Sequence, residues 1–340
     1  MSFSAKPRLL IVGYPQTYHL GSMLLAGAKS AGLEVQLSDP SNAYQSNFLL
    51  KQFNWRLRSH RPTYLDQYSF KLVEECKVYQ PHIVLVTGIT PPNSVTIKTL
   101  KAMGIICLNY LTDDPWNKNH RTHWFLEALS HYTCVFTPRQ SNIADLTALG
   151  CVTRYLPFAY DPHLHYPDKP PADKQSQFEC DLLFYGGADA DRVPYIEALL
   201  DSGFDVHLYG GYWGKRSKTR SSAKGIADIQ TLRWSVSQAK ITICFVRRAN
   251  RDGHSMRTFE AAAMGACMLV EDTDEHRKIF GDEGENVFYF ETQNSLIEKS
   301  RYLLAQPELR QKLATNVYNH ITKMSNMYKD RLANLIEFGN

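Results

Sequence analysis

The chain lacks any C-x-x-C pair. Its seven cysteines (Cys76, Cys107, Cys134, Cys151, Cys180, Cys244 and Cys267) are odd in number and scattered. That pattern argues against a disulfide framework or a thiolate metal site. Most sit inside apolar runs and read as buried, reduced thiols, so a reducing cytoplasm is the expected compartment. Long hydrophobic runs are missing too. No stretch approaches the ~20 apolar residues that a membrane-spanning helix needs. The run 9–12 behind Lys6 and Arg8 is too short for the core of a secretion signal. Charge of one sign is scarce: 38 Lys and Arg against 34 Asp and Glu leave a formal +4. That balance, without a recognition motif, gives no case for a nucleic-acid partner. No solenoid repeat and no low-complexity tract occurs.

What is present suits two α/β domains. The length of 340 residues allows two units of roughly 150 each, and a 44% hydrophobic content supplies their cores. Short β-rich apolar runs at 8–13, 33–37, 82–86, 105–111, 133–137 and 154–156 alternate with helical patterns, the first at 20–31. A second series runs through 181–185, 205–209, 240–246, 267–270 and 287–290, and helical segments fill 295–338. Strands separated by helices favour doubly wound parallel sheets. Between the series, Pro157, Pro162, Pro167, Pro170 and Pro171 interrupt a polar stretch without periodicity, as an interdomain connection does. The expected layout is therefore a first Rossmann-like domain over 1–160, a linker over 161–178, a second Rossmann-like domain over 179–322 and a C-terminal helix over 323–340 crossing back to the first. Mainly parallel sheets would face a central cleft, where ligands of open α/β sheets bind.

The segment 246–275 carries the densest chemistry. After a buried strand come Arg247, Arg248, Asp252, Gly253 and His254, then Ser255 as an N-cap, and a helix with Met256, Arg257, Glu260 and three alanines. A helix N-terminus beside arginines is a site for phosphate. Arg257 and Glu260, three residues apart, share a face. They either pair with each other or divide a nucleotide between them, arginine to diphosphate and carboxylate to the ribose diol. Gly186 and Gly187 suit a loop that a ligand approaches closely, and Arg192 reaches a phosphate or stands in solvent. Trp213 offers a ring for stacking, while the basic loop 215–224 reads as a solvated or mobile segment.

In the first half, Asp113 and Asp114 follow a strand. One of them acts on an acceptor hydroxyl, or Asp114-Pro115 merely starts a turn. His19, with Gly13 and Tyr14 in the preceding loop, is an acceptor-side candidate or a structural histidine. That loop lacks G-x-G-x-x-G, which counts against a dehydrogenase. Asp189-Ala190-Asp191 matches D-x-D in form, but its place at a helix start explains it as capping, and no metal is assigned.

The string SMRTFEAAAMGACML, with Glu271, Glu275, Phe280 and GDEGENVFYF after it, resembles the donor-binding region of GT-B glycosyltransferases, most closely the CgeB-type spore-maturation branch. NYLTDDPW, CVFTP, GCVTRYLPFAYDP and DLLFYGG with Arg192 follow the same order, so the likeness covers most of the chain. It implies transfer of a hexose-like sugar from a nucleoside-diphosphate sugar to a hydroxyl acceptor, with retention and without a metal or other cofactor. The acceptor could be a glycan, small molecule, lipid-linked species or protein, and a homo-oligomer is compatible with the sequence. Retaining families carry two acids separated by seven residues. Here these are Asp252 and Glu260, with aspartate replacing the usual first glutamate. The resemblance gives Glu260 to the donor ribose and the Asp252 loop to sugar and phosphates. Rival readings are a nucleotide-sugar epimerase on the same scaffold and a non-catalytic nucleotide-sugar-binding module.

Overall fold

A computed structural model describes residues 7–339. The chain forms two compact units. The first holds the described residues up to Pro157, then Ala249–Arg251 and the segment from Tyr328 onward; the second holds Phe158–Arg248 and Asp252–Met327. The proline-punctuated stretch 161–178 thus belongs to the second unit.

In the first unit, β1 (Leu9–Val12), β2 (Val35–Ser38), β3 (Ile83–Thr87), β4 (Ile106–Tyr110), β5 (Cys134–Thr137) and β6 (Thr153–Tyr155) lie in the order β2-β1-β3-β4-β5-β6. Every neighbouring pair is parallel. β1 and β3 are buried along their whole length, which is why they read as unbroken apolar runs rather than alternating ones. The helix Leu65–Tyr79 turns Leu65, Tyr68, Leu72 and Cys76 into this core at helical spacing. It stops at Gln80, which takes a left-handed φ of 51°. The last helix, Tyr328–Gly339, packs on the helix Leu20–Ser30. A Cβ on Gly27 would come within 2.9 Å of Lys329 N, so glycine is what lets the two helices meet.

In the second unit, β7 (Cys180–Tyr185), β8 (Val206–Tyr209), β9 (Ala223–Gly225), β10 (Ala239–Cys244), β11 (Met268–Glu271) and β12 (Phe288–Phe290) lie in the order β12-β11-β10-β7-β8-β9. Neighbours are again parallel. This is the Rossmann order, in which chain direction across the sheet reverses between β7 and β10. The fold class expected from the sequence is the one observed. One strand was not expected: β9 lies at the end of the basic loop, which is therefore partly tied to β8. Its three residues are half-exposed or exposed and end in glycine, so no apolar pattern marked them. All seven cysteines are free and buried.

Candidate functional site

The reversal point of the second sheet gathers the conspicuous groups. Just after β7 comes Gly186, whose φ of +154° and close neighbours leave no room for a side chain: a Cβ would meet the Phe184 ring at 2.8 Å and the Arg257 guanidinium at 3.3 Å. Next door, Gly210 has a φ of +129°, and a Cβ there would press on Gly186 O at 2.3 Å. Beside this loop Arg192 is buried, donating to Val246 O (3.1 Å) and pairing with Asp189 (3.1 Å). Burial and the nearby Arg257 push its pKa down to about 10, against the pull of Asp189. Arg247 also pairs with Asp189, at 3.2 Å.

The helix Met256–Ala263 starts at Ser255, which is extended (φ −130°, ψ 173°). Ser255 N–H donates to Thr258 Oγ1 at 3.0 Å. Thr258 Oγ1 lies 2.9 Å from His276 Nε2, and His276 Nδ1 lies 2.7 Å from Glu271 O. The carbonyl can only accept, so Nδ1 carries the proton and Nε2 accepts from the Thr258 hydroxyl. Burial holds His276 neutral, with its pKa down at about 4. The alanine run is buried against the sheet, and Gly265 (φ +81°) ends the helix.

Arg257 and Glu260 are not paired with each other among the described residues. Arg257 lies over the Phe184 ring (5.6 Å), and its Nε is buried without a hydrogen-bond partner. Glu260, with 14% of its side chain exposed, faces His165 Nε2 at 3.7 Å. The Tyr185 hydroxyl is buried without a partner. Burial, reinforced by the Glu260 charge and opposed by Arg257, pushes its pKa well up, so it stays a neutral donor. Among the described residues, a cation without a counter-ion, a carboxylate with open lone pairs and a helix N-terminus thus stand on one short helix and its flank. Such a set can take a diphosphate and a diol.

Several sequence candidates have other employment. Trp213 is fully buried and donates from Nε1 to Gly186 O (2.8 Å), so it braces the glycine loop and has no face for stacking. His254 is fully buried: its Nε2 accepts from Phe158 N–H (3.2 Å), and its Nδ1 meets Glu275 at 2.6 Å. Gly253 gives Glu275 room, because a Cβ would lie 2.5 Å from the carboxyl carbon. Arg248 is held by Glu271 (2.7 Å) and the Tyr195 hydroxyl (3.1 Å). Gly187 O lies 3.4 Å from Arg192 Nη1. Asp252 N–H donates to Arg247 O at 3.3 Å, and Met256 opens the helix. His165 and Tyr185 were not among the sequence candidates. No spacing marks His165, and Tyr185 reads as the last residue of a core strand.

In the first unit, Asp114 is 1% exposed and saturated. It accepts from Arg251 Nε (2.6 Å) and Nη2 (3.1 Å), Asn142 Nδ2 (3.1 Å) and Trp116 N–H (3.0 Å). A carboxylate so committed is an ion-pair partner, not a free base. Asp113 is the more open of the two, with a third of its side chain exposed; it accepts from Asn250 Nδ2 (3.0 Å) and lies 3.9 Å from His120. His19 stands with Tyr14, their rings 5.2 Å apart, and partial burial lowers its pKa. Gly13 admits no side chain, since a Cβ would meet Thr87 Oγ1 at 2.7 Å and Gly21 Cα at 2.8 Å.

Residues 192–337, the stretch that includes Arg192, Arg257 and Glu260, match a family model described as glycosyl transferase-like. No curated protein matches the sequence significantly. Among solved structures, the chain is similar to sucrose-phosphate synthase from Thermosynechococcus elongatus (TM-score 0.69, 15% identity, 98% of each chain covered). It is similar to HepE of Anabaena in complex with UDP (TM-score 0.64, 11% identity, 97% of this chain and 99% of that one). A Listeria monocytogenes structure of the UDP-N-acetylglucosamine 2-epimerase type superposes less well (TM-score 0.55, 15% identity, 98% and 96% covered). At such identities the likeness speaks for the fold alone, and with the two parallel sheets that fold is GT-B.

Proposed function

We propose that the chain is a glycosyltransferase that moves a sugar from a nucleoside-diphosphate sugar to a hydroxyl-bearing acceptor. The observation that carries this reading is Arg257, without a counter-ion among the described residues at the N-terminus of the Met256–Ala263 helix, with Glu260, which faces only His165 at 3.7 Å among the described residues, one turn further on. Arg257, N-terminal N–H groups of that helix and Arg192 hold the diphosphate; Glu260 holds the ribose diol. These positive groups meet the charge that develops on the leaving diphosphate, which is where preorganised electrostatics lowers a barrier most. They do so without a metal ion, so transfer should survive a chelator. The family match over 192–337 covers these residues and supports the assignment. We assign the acceptor to the first unit, with Asp113 rather than Asp114 as the carboxylate that orients or deprotonates its hydroxyl, and His19, Gly13 and Tyr14 as further acceptor-side residues. Retention at the anomeric carbon follows the resemblance to retaining families and the spacing of Asp252 and Glu260.

Because HepE was crystallised with UDP, UDP and UDP-sugars head the panel to test. A thermal-shift screen against nucleoside diphosphates should raise the melting temperature of the wild type. Glu260→Ala should weaken binding about tenfold or more, the loss expected for hydrogen bonds to a charged group. Unchanged affinity for every nucleoside diphosphate would remove the assignment. Product analysis separates the alternatives: a new glycoside marks a transferase, an epimerised sugar nucleotide marks an epimerase, and binding without turnover marks a sensor. Asp113→Asn should cut transfer while sparing donor affinity, and full activity in that variant would take Asp113 out of the mechanism.

A further inference from the structure

The proline-rich stretch expected to be a mere connection holds a residue with no part in the reading above. His165 is 6% exposed. Its position is fixed from several sides. Its backbone N–H donates to Asp161 O (2.8 Å), closing a turn, and Asp161 N–H returns a hydrogen bond to the His165 ring at Nδ1 (3.1 Å). His163 N–H caps the Asp161 side chain (2.9 Å). From the helix Ile229–Gln238, Arg233 donates to Leu164 O (3.0 Å) and covers the Tyr166 ring (4.2 Å). Trp234 Nε1 holds Asp168 at 3.1 Å. Six contacts fix one short turn.

The consequence for the ring is chemical. Nδ1 accepts from a backbone N–H, so in the neutral imidazole the proton resides on Nε2. Nε2 is the atom aimed at Glu260 Oε1, at 3.7 Å. That separation is an electrostatic contact, longer than a hydrogen bond, and among the described residues no side-chain hydrogen bond reaches that carboxylate. A glutamate on a helix has three rotatable bonds, and holding it in one pose costs side-chain entropy. A fixed N–H dipole facing it from one side biases that pose before the ligand arrives, as a neighbouring polar group preorganises a binding group.

We infer that His165 is a positioning residue for the ribose site: it holds the Glu260 carboxylate so that its remaining lone pairs accept from the ribose hydroxyls, and it thereby sets the preference for ribonucleotides over 2′-deoxyribonucleotides. This rests on the assignment of Glu260 to the donor ribose. A role in folding alone would weaken all ligands alike, whereas positioning acts on the hydroxyl that the carboxylate reads. The ratio of affinities therefore separates the two.

The experiment measures dissociation constants of UDP, 2′-deoxy-UDP, GDP and 2′-deoxy-GDP by calorimetry on the full chain. Four proteins are compared: wild type, His165→Phe, His165→Gln and Glu260→Ala. Wild type should prefer the ribose form of whichever nucleotide it binds by roughly tenfold, as loss of a hydrogen bond to a charged group predicts. His165→Phe should bring that ratio to within about twofold while leaving the 2′-deoxy affinity in place, which also certifies the fold. His165→Gln, which keeps an N–H near the Nε2 position, should recover part of the preference. A wild-type ratio in His165→Phe, alongside a collapsed ratio in Glu260→Ala, would overturn this inference and leave the ribose site standing. An unchanged ratio in Glu260→Ala, or no nucleotide binding by wild type, would overturn the ribose site and this inference with it. Equal loss of ribose and deoxyribose binding in His165→Phe would make His165 structural and overturn the inference too.

Discussion

Single residues decide how the site is built, and His276 is the most exposed to test. It is fully buried and joined to the Met256–Ala263 helix through Thr258, and this bonding needs the neutral ring. Its pKa is near 4 in the folded chain and near 6.5 when unfolded. The unfolded state therefore binds the proton first as pH falls. The contribution is whole above pH 6.5 and is lost between 6.5 and 4, up to about 3 kcal/mol. Urea unfolding at pH 7.5 and 4.5 should show that loss in wild type, and His276→Asn should flatten the slope by about the same amount. An equal slope in both proteins would show that the ring takes no part. Trp213 invites a second substitution. Trp213→Phe keeps most of the packing but strips Gly186 O of its donor, which should cost about 1–2 kcal/mol and weaken nucleotide binding through the loosened loop.

At the scale of elements, the sequence was legible wherever burial covers both faces. The continuous runs at β1, β3, β7 and β10 announce themselves because parallel strands between helices have no solvent face to alternate with. β9 did not, since a three-residue edge strand with exposed side chains has nothing to repeat. The helix Met256–Ala263, to which we assign the phosphates, was readable from Ser255, Arg257 and the alanine run. What surrounds it was not: His165 reaches Glu260 from a loop far away in sequence, and only folding joins them. Nor does sequence separate an arginine with a partner from one without. Arg248 and Arg257 look alike in the string, yet the first is bound to Glu271 and the second is not. Thr258→Val tests the helix itself. It removes the acceptor for Ser255 N–H and the donor to His276 at once. Stability should fall by about 2 kcal/mol as two buried polar atoms lose their partner, seen as a lower urea midpoint.

For the whole molecule, the last helix matters more than its place at the end of the chain suggests. Tyr328, Leu332 and Leu335 are each 1% exposed, and Arg331 Nε donates to Pro157 O at 2.9 Å. All of them belong to the first unit. A burial of this kind is worth about 2 kcal/mol per large apolar side chain, so losing three approaches the whole reserve of an ordinary domain. Deleting residues 328–340 should thus lower or abolish one calorimetric transition. The transition that a nucleoside diphosphate raises should stay where it was. If the nucleotide-sensitive transition moves instead, the assignment of nucleotide binding to the second unit is wrong.

The three residues Ala249–Arg251 set a rule for anyone who would trade parts between relatives of this fold. They lie in the middle of the second half of the string, yet Asn250 bonds Asp113 and Arg251 bonds Asp114 and Asp145. A chimera spliced after Pro157 alone would bring a foreign tripeptide to those aspartates, and one without a cation in place of Arg251 would leave Asp114 a buried charge without its partner. Heredity by recombination faces the same hurdle as the engineer. The halves of this protein can be exchanged only if that tripeptide is inherited along with the aspartates that receive it.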